Sequence, residues 1–175
     1  MQALIDAYEA IRDFLELGGP VLRIIGVVIL VMWILILERL IFFRTALKGL
    51  IQEAFVQWEA RPERKSWHAH QARARIVSQV KMSAEQSLPM IQTLVALCPL
   101  FGLMGTVTGM ISVFEVMSFS GTSNARSMAA GVSRATIPTM AGMVGALSGV
   151  FLVTILTRSV KRNLAFLEDE MTMDH

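Results

Sequence analysis

Charge is scarce in this chain. Only 17% of its 175 residues are Asp, Glu, Lys or Arg, against about 25% in an ordinary soluble domain. The shortage is concentrated. The 29 residues between Glu85 and Glu115 contain none of these side chains, and neither do the 23 between Arg134 and Arg158. Each run exceeds the roughly 20 apolar residues that cross a bilayer, which excludes a soluble reading. A third run is weaker at its ends. Arg23 and Glu38 enclose 14 uncharged residues, and Pro20 to Phe43 gives 24 if Arg23 and the Glu38–Arg39 pair snorkel to the two interfaces. The single cysteine, Cys98, lies inside the second run, so no intramolecular disulfide can form. A basic leader is also missing: Asp6, Glu9, Asp13 and Glu16 precede the first apolar run, so no secretory signal is expected. The two later runs hold no Asp, Glu, His or Lys. A proton relay usually needs a titratable side chain within the membrane. This chain cannot relay protons alone by that route, and an acid would have to come from a partner.

The fold class expected is an all-α integral membrane protein. Three transmembrane helices carry long cytoplasmic helical extensions. Residues 1–19 read as a short amphipathic periplasmic helix, with Leu4, Tyr8, Ile11 and Leu15 on one face and acids opposite; the competing reading is a disordered tail. Gly18, Gly19 and Pro20 break it. The first span, 20–43, has no hydroxyl-bearing residue between Arg23 and Arg44 and reads as a lipid-facing anchor. Residues 44–89 form a helical loop, with helices through Thr45–Glu59 and Glu63–Leu88 broken near Pro62. Its basic residues, Arg44, Lys48, Arg61, Arg64, Lys65, Arg73, Arg75 and Lys81, mark it as cytoplasmic. The second span is 90–114, a periplasmic loop covers 115–130, the third span is 131–157, and residues 158–175 form a cytoplasmic C-terminal helix. The N-terminus is then periplasmic and the C-terminus cytoplasmic. Positive-inside topology accounts for the basic loop, and no aromatic–basic pattern accompanies it, so nucleic acid is not expected as a partner. His68 and His70 are two apart and point to different helix faces, which speaks against a metal site. With no nucleophile–base pair or metal cluster, neither an enzyme nor a cofactor is expected.

The two later spans share one grammar. Gly102, Gly105 and Gly109 repeat the spacing of Gly142, Gly145 and Gly149, which lines three glycines along one helix stripe. In lipid, small residues that let backbones approach supply the association that hydrophobic burial supplies in water. A packing role is expected for all six. Thr106 and Thr139 sit beside the stripes, each seven residues in from the presumed outer ends at Val113 and Val132. They are thus at matched depth, roughly 10 Å below the interface at 1.5 Å per residue. A membrane threonine can simply bond back to its own helix; two at one level point toward a polar lining, with Thr108, Ser112, Ser133, Thr136 and Ser148 adding polar atoms. Pro99 and Pro138 each remove a ladder bond and can kink their helices.

Leu97-Cys-Pro-Leu-Phe-Gly-Leu-Met-Gly-Thr-Val-Thr-Gly-Met-Ile111 resembles the second-helix signature of the MotA/TolQ/ExbB proton-channel family, and Gly131-Val-Ser-Arg-Ala-Thr-Ile-Pro-Thr-Met-Ala-Gly142 resembles its third-helix signature. The small size is most similar to the short ExbB proteins of second-type TonB systems. The resemblance implies a homopentamer around a central pore in a Gram-negative inner membrane. The pore would enclose the single helices of an ExbD-like partner whose aspartate carries protons, and a TonB-like protein would pass the motion to outer-membrane transporters for iron chelates and similar nutrients. Thr106 and Thr139 fall on the family's two pore-facing threonines. The family often has glutamate where this chain has Arg134. Three roles are open to that arginine: pairing with an acid on the partner, pairing with Glu115, or snorkelling outward. A TolQ-like envelope-maintenance subunit and a passive membrane scaffold are the competing functions.

Overall fold

A computed structural model describes residues 2–61, 66–120 and 125–171. Five helices follow in order: α1 (Gln2–Leu17), α2 (Gly19–Glu59), α3 (Trp67–Glu85), α4 (Leu88–Ser120) and α5 (Ala125–Glu170). By length and composition, three helical stretches can cross a membrane: Gly19–Glu59, Trp67–Phe119 and Met128–Glu170. The α1–α2 break falls where the glycines predict. Gly19 has φ +68° and is the only positive-φ residue described, a conformation glycine adopts without steric cost. Pro20 then occupies the first turn of α2, where its missing N–H matters least.

Two of the expected boundaries move. The expected periplasmic loop at 115–130 is helical over 115–120 and 125–130, and its middle lies outside the described residues. Ser112 and Ser118 bond back to the carbonyls of Thr108 and Glu115, so their hydroxyls are satisfied without leaving the helix. The second helix of the segment between the first two spans starts at Trp67, where Ser66 caps the amide of Ala69; the expected start at Glu63 and the break at Pro62 lie outside the described residues.

The chain divides into two compact units. Unit 1 holds Met1–Trp33 and Thr93–Val150: α1, the start of α2, most of α4 and the first part of α5. Its buried residues include Leu22, Ile25 and Met32 on α2, Val95 and Cys98 on α4, and Ala135, Pro138 and Ala146 on α5. With the half-buried Ile29, which lies against Gly145, these α2 residues recur every three or four positions and form a packing seam. The first span is not only a lipid-facing anchor.

Unit 2 holds Ile34–Gln92 and Phe151–His175. Ile36, Leu47, Ala54 and Trp58 of α2 are buried there, with Ala69, Val80 and Ala84 of α3 and Leu156, Val160 and Leu167 of α5. Arg39 is only 3% exposed, which corrects the expectation that it snorkels. Its guanidinium donates to the Ser83 carbonyl at 3.1 Å and to Ser87 Oγ at 2.7 Å. It also lies over the Phe42 ring, 5.0 Å from its centre. Ser83 belongs to the last turn of α3, whose carbonyls lack intrahelical partners and carry the negative end of the helix dipole. Arg73 of α3 treats the end of α5 the same way, donating to the Met171 carbonyl at 3.0 Å and to the Glu168 carbonyl. The C-terminal ends of α3 and α5 thus each receive an arginine from a neighbouring helix.

Candidate functional site

The site lies on the α4–α5 pair of unit 1, and the glycines set its geometry. A Cβ on Gly102 would come 2.9 Å from Thr139 Cα; on Gly109, 2.8 Å from Ala135 Cβ; on Gly142, 2.5 Å from the Cys98 carbonyl oxygen. Gly105 lies against Pro138, and Gly131, outside the two stripes, against Val113. As the number climbs along α4 its partner on α5 falls in step, so the two helices run antiparallel in close register. Gly145 and Gly149 lie partly against α2 instead. Their neighbours are the Ile29 side chain and, for Gly149, Met32 Sδ at 2.6 Å and Val95 Cγ2 at 2.5 Å. The first stripe thus meets α5, and the second is shared between α4 and α2.

Thr106 and Thr139 each follow one member of the touching pair Gly105–Pro138. The two steps run in opposite directions along an antiparallel pair, so the threonines lie about two residues' rise, roughly 3 Å, apart in height. One step along each of two antiparallel helices is a turn of about 100° in opposite senses when seen from one end, so both threonines step to the same side of the pair. Both are half-buried. Their hydroxyls do different things. Thr106 Oγ1 donates back to the Leu103 carbonyl at 2.7 Å, whereas Thr139 Oγ1 crosses to the Gly102 carbonyl at 2.9 Å. That carbonyl is also the ladder acceptor for the Thr106 amide in a regular α-helix. Helical spacing puts Pro99, Leu103 and Met110 of α4, and Val132, Met143 and Ala146 of α5, on that side too, and no Asp, Glu, Lys or Arg is among them. The face offers hydroxyls and apolar surface but no charge.

The opposite side of the pair holds a cavity of about 620 Å³. Val21 of α2, the Gly18–Pro20 turn, Gly105, Gly109, Val113, Gly131 and Pro138 line it, with Thr108, Ser112 and Arg134 as its polar side chains. Thr108 and Ser112 bond back along α4, to Met104, Gly105 and Thr108 carbonyls. Arg134 is exposed. Among the described residues it forms no ion pair with Glu115, which is exposed as well. Both α4 and α5 remain helical through Pro99 and Pro138. Pro138 withdraws the ladder donor from the Arg134 carbonyl, beside this cavity. The sequence reading grouped Thr108 and Ser112 with the polar lining beside Thr106 and Thr139 and kept Arg134 apart; the structure places all three on this cavity, and the four-residue spacing of Thr108 and Ser112 was the available signal. Among the described residues no cluster of three or more His, Cys, Asp or Glu gathers that could hold a metal.

The chain is similar in sequence to known proteins. ExbB-like 1 of Synechocystis sp., described as a biopolymer transport protein, is 37% identical over 70 residues, covering 38% of this chain and 28% of the relative. ExbB-like 3 of the same organism, with the same description, is 29% identical over 83 residues, covering 46% of this chain and 40% of the relative. The aligned segments span less than half of those relatives' own lengths. The sequence profile of the MotA/TolQ/ExbB proton channel family matches residues 41–169, well over half of the chain and including both glycine stripes and both threonines. This multi-pass membrane chain belongs to the MotA/TolQ/ExbB proton channel family.

Proposed function

We propose that the chain is an ExbB-like motor subunit. In this reading several copies, five by the family resemblance, ring an ExbD-like single-span partner in a bacterial inner membrane. The N-terminus is periplasmic and the C-terminus cytoplasmic. The proton motive force drives the partner's motion, and a TonB-like protein carries it to outer-membrane transport. The observation that carries the reading is the shared side of Thr106 and Thr139: half-buried in the single chain, hydroxyl-bearing and free of charge. With their protons given to the Leu103 and Gly102 carbonyls, the two hydroxyls keep lone pairs that accept from a partner's protonated carboxyl, and a hydroxyl that leaves its carbonyl can donate to the carboxylate, in neither case forming an ion pair. The Gly102 carbonyl, holding Thr139 in place, fixes one hydroxyl across the helix pair. Arg134 and the cavity lie on the other side, so the arginine is not available to neutralise an acid travelling along the threonine face. A proton crossing 100 mV releases roughly 2.3 kcal/mol, enough for a few protons to move a helix past small side chains.

The test is uptake of a TonB-dependent chelate by cells carrying Thr106→Val or Thr139→Val, with assembly followed by native mass measurement. Uptake should fall while the complex with its partner persists. Full uptake in both variants would overturn the motor reading and leave a passive scaffold.

A further inference from the structure

Unit 2 carries two oppositely charged surfaces that nothing in the proposed proton path uses. The first is a groove of about 540 Å³ between the end of α2 and α3, where Gln57, Arg61, Gln71, Arg75 and Gln79 surround an apolar floor of Ala72 and Ile76. Among the described residues neither Arg61 nor Arg75 has an ion-pair partner. The second is the end of α5, where Glu168, Asp169 and Glu170 are all exposed and likewise have no ion-pair partner among the described residues.

Two independent registers place these surfaces at one height. Phe55 of α2 meets Phe166 of α5 edge to face, ring centres 6.4 Å apart. Gln57 then follows Phe55 by two residues and Arg61, just past the end of α2, by six, while the acids follow Phe166 by two to four. Arg73 of α3 bonds the carbonyls of Glu168 and Met171, and Arg75 lies two residues, roughly 3 Å, further along. The same contacts place the surfaces on opposite sides. Gln57 is about 200° round α2 from Phe55, and Arg75 about 200° round α3 from Arg73. Both helices therefore turn the groove away from α5. No single chain can bring the arginines of this groove to its own acids.

A rotation about an axis along the helices carries a surface sideways without raising or lowering it. Two complementary surfaces at one height on opposite sides are what a head-to-tail ring of identical copies requires. We infer that the groove of one copy receives the acidic end of α5 of the next, with Arg61 and Arg75 facing Glu168, Asp169 and Glu170, and the glutamines adding neutral hydrogen bonds at the rim. The inference rests on the ring in the proposed function and adds the contact by which its subunits recognise their neighbours outside the membrane. Exposed charges at this position are screened by salt, so the contact sets register and direction more than strength.

The full chain is purified in mild detergent with its partner. A Gln71→Cys/Asp169→Cys variant is treated with a short bis-maleimide, and the wild type, whose sole cysteine Cys98 is buried, is the control. Head-to-tail contact gives a ladder of covalent species beyond the dimer on a denaturing gel. Adding Arg61→Glu and Arg75→Glu should reduce the ladder at least fivefold at low salt. Adding Glu168→Lys and Glu170→Lys to that chain should restore it. If native mass measurement finds rings but no ladder forms, or the reversals leave it unchanged, the contact is wrong and the ring stands. If only single chains are found, the ring reading itself falls and the contact with it.

Discussion

The sharpest quantitative consequence concerns what each glycine would meet if it gained a methyl group. At Gly142 the new Cβ would stand 2.5 Å from the Cys98 carbonyl oxygen, 3.2 Å from its carbon and 3.3 Å from Gly102 Cα. All three are backbone atoms, so no side chain can swing aside and the two helices must part. Overpacking of this kind costs about 1–3 kcal/mol, against a helix-propensity gain of about 1 kcal/mol for Gly→Ala. At Gly145 the obstacle is the Ile29 side chain alone, which can change rotamer, so the two terms should nearly cancel. At Gly26 and Gly49 nothing lies within 4 Å, and only the gain of about 0.5–1 kcal/mol remains. The expected order of stability is therefore Gly26→Ala and Gly49→Ala above wild type, Gly145→Ala near it, and Gly142→Ala at least about 1 kcal/mol below Gly26→Ala. The assay is unfolding in mixed detergent at one fixed protein concentration, followed by tryptophan fluorescence. If Gly142→Ala proves as stable as Gly26→Ala, the backbones of α4 and α5 do not approach as described.

Three further outcomes follow. Thr139→Val should cost about 1 kcal/mol of stability through the lost bond to the Gly102 carbonyl, whereas Thr106→Val, losing only a local bond to Leu103, should be nearly neutral in the same unfolding assay. Thr106 is accordingly the cleaner probe of transport. Arg39→Ala should destabilise by about 2–5 kcal/mol, since it opens a cavity and strands the acceptors at Ser83 and Ser87; Arg39→Lys, able to reach one acceptor, should recover part of the loss in thermal melts. Arg73→Ala should leave the membrane part intact while raising amide exchange over the last turn of α5, where it now holds the Glu168 and Met171 carbonyls.

The spans and the packing stripes were legible in the sequence for simple reasons. A run of 29 residues without charge has no stable place except a bilayer, and the glycine spacing is a property of one helix read along itself. The break at Gly18–Pro20 is equally local, because φ at Gly19 and the missing amide of Pro20 are decided within the turn. Arg39 was not legible: its position beside Glu38 suggests an interface, and only α3 and the turn after it, brought alongside more than forty residues later, supply the Ser83 carbonyl and Ser87 hydroxyl that make burial favourable. The extent of α4 and α5 past the expected loop ends was hidden as well, since serines that favour turns can equally satisfy themselves along a helix. The two threonines divide along the same line. Sequence alone placed Thr106 and Thr139 beside their glycines, because helical angle depends only on position in the chain. Which hydroxyl bonds locally and which crosses to the neighbouring helix was decided by the tertiary structure, because that depends on the carbonyl the antiparallel register brings within 3 Å of it, and a helix's own periodicity contains nothing about its neighbour.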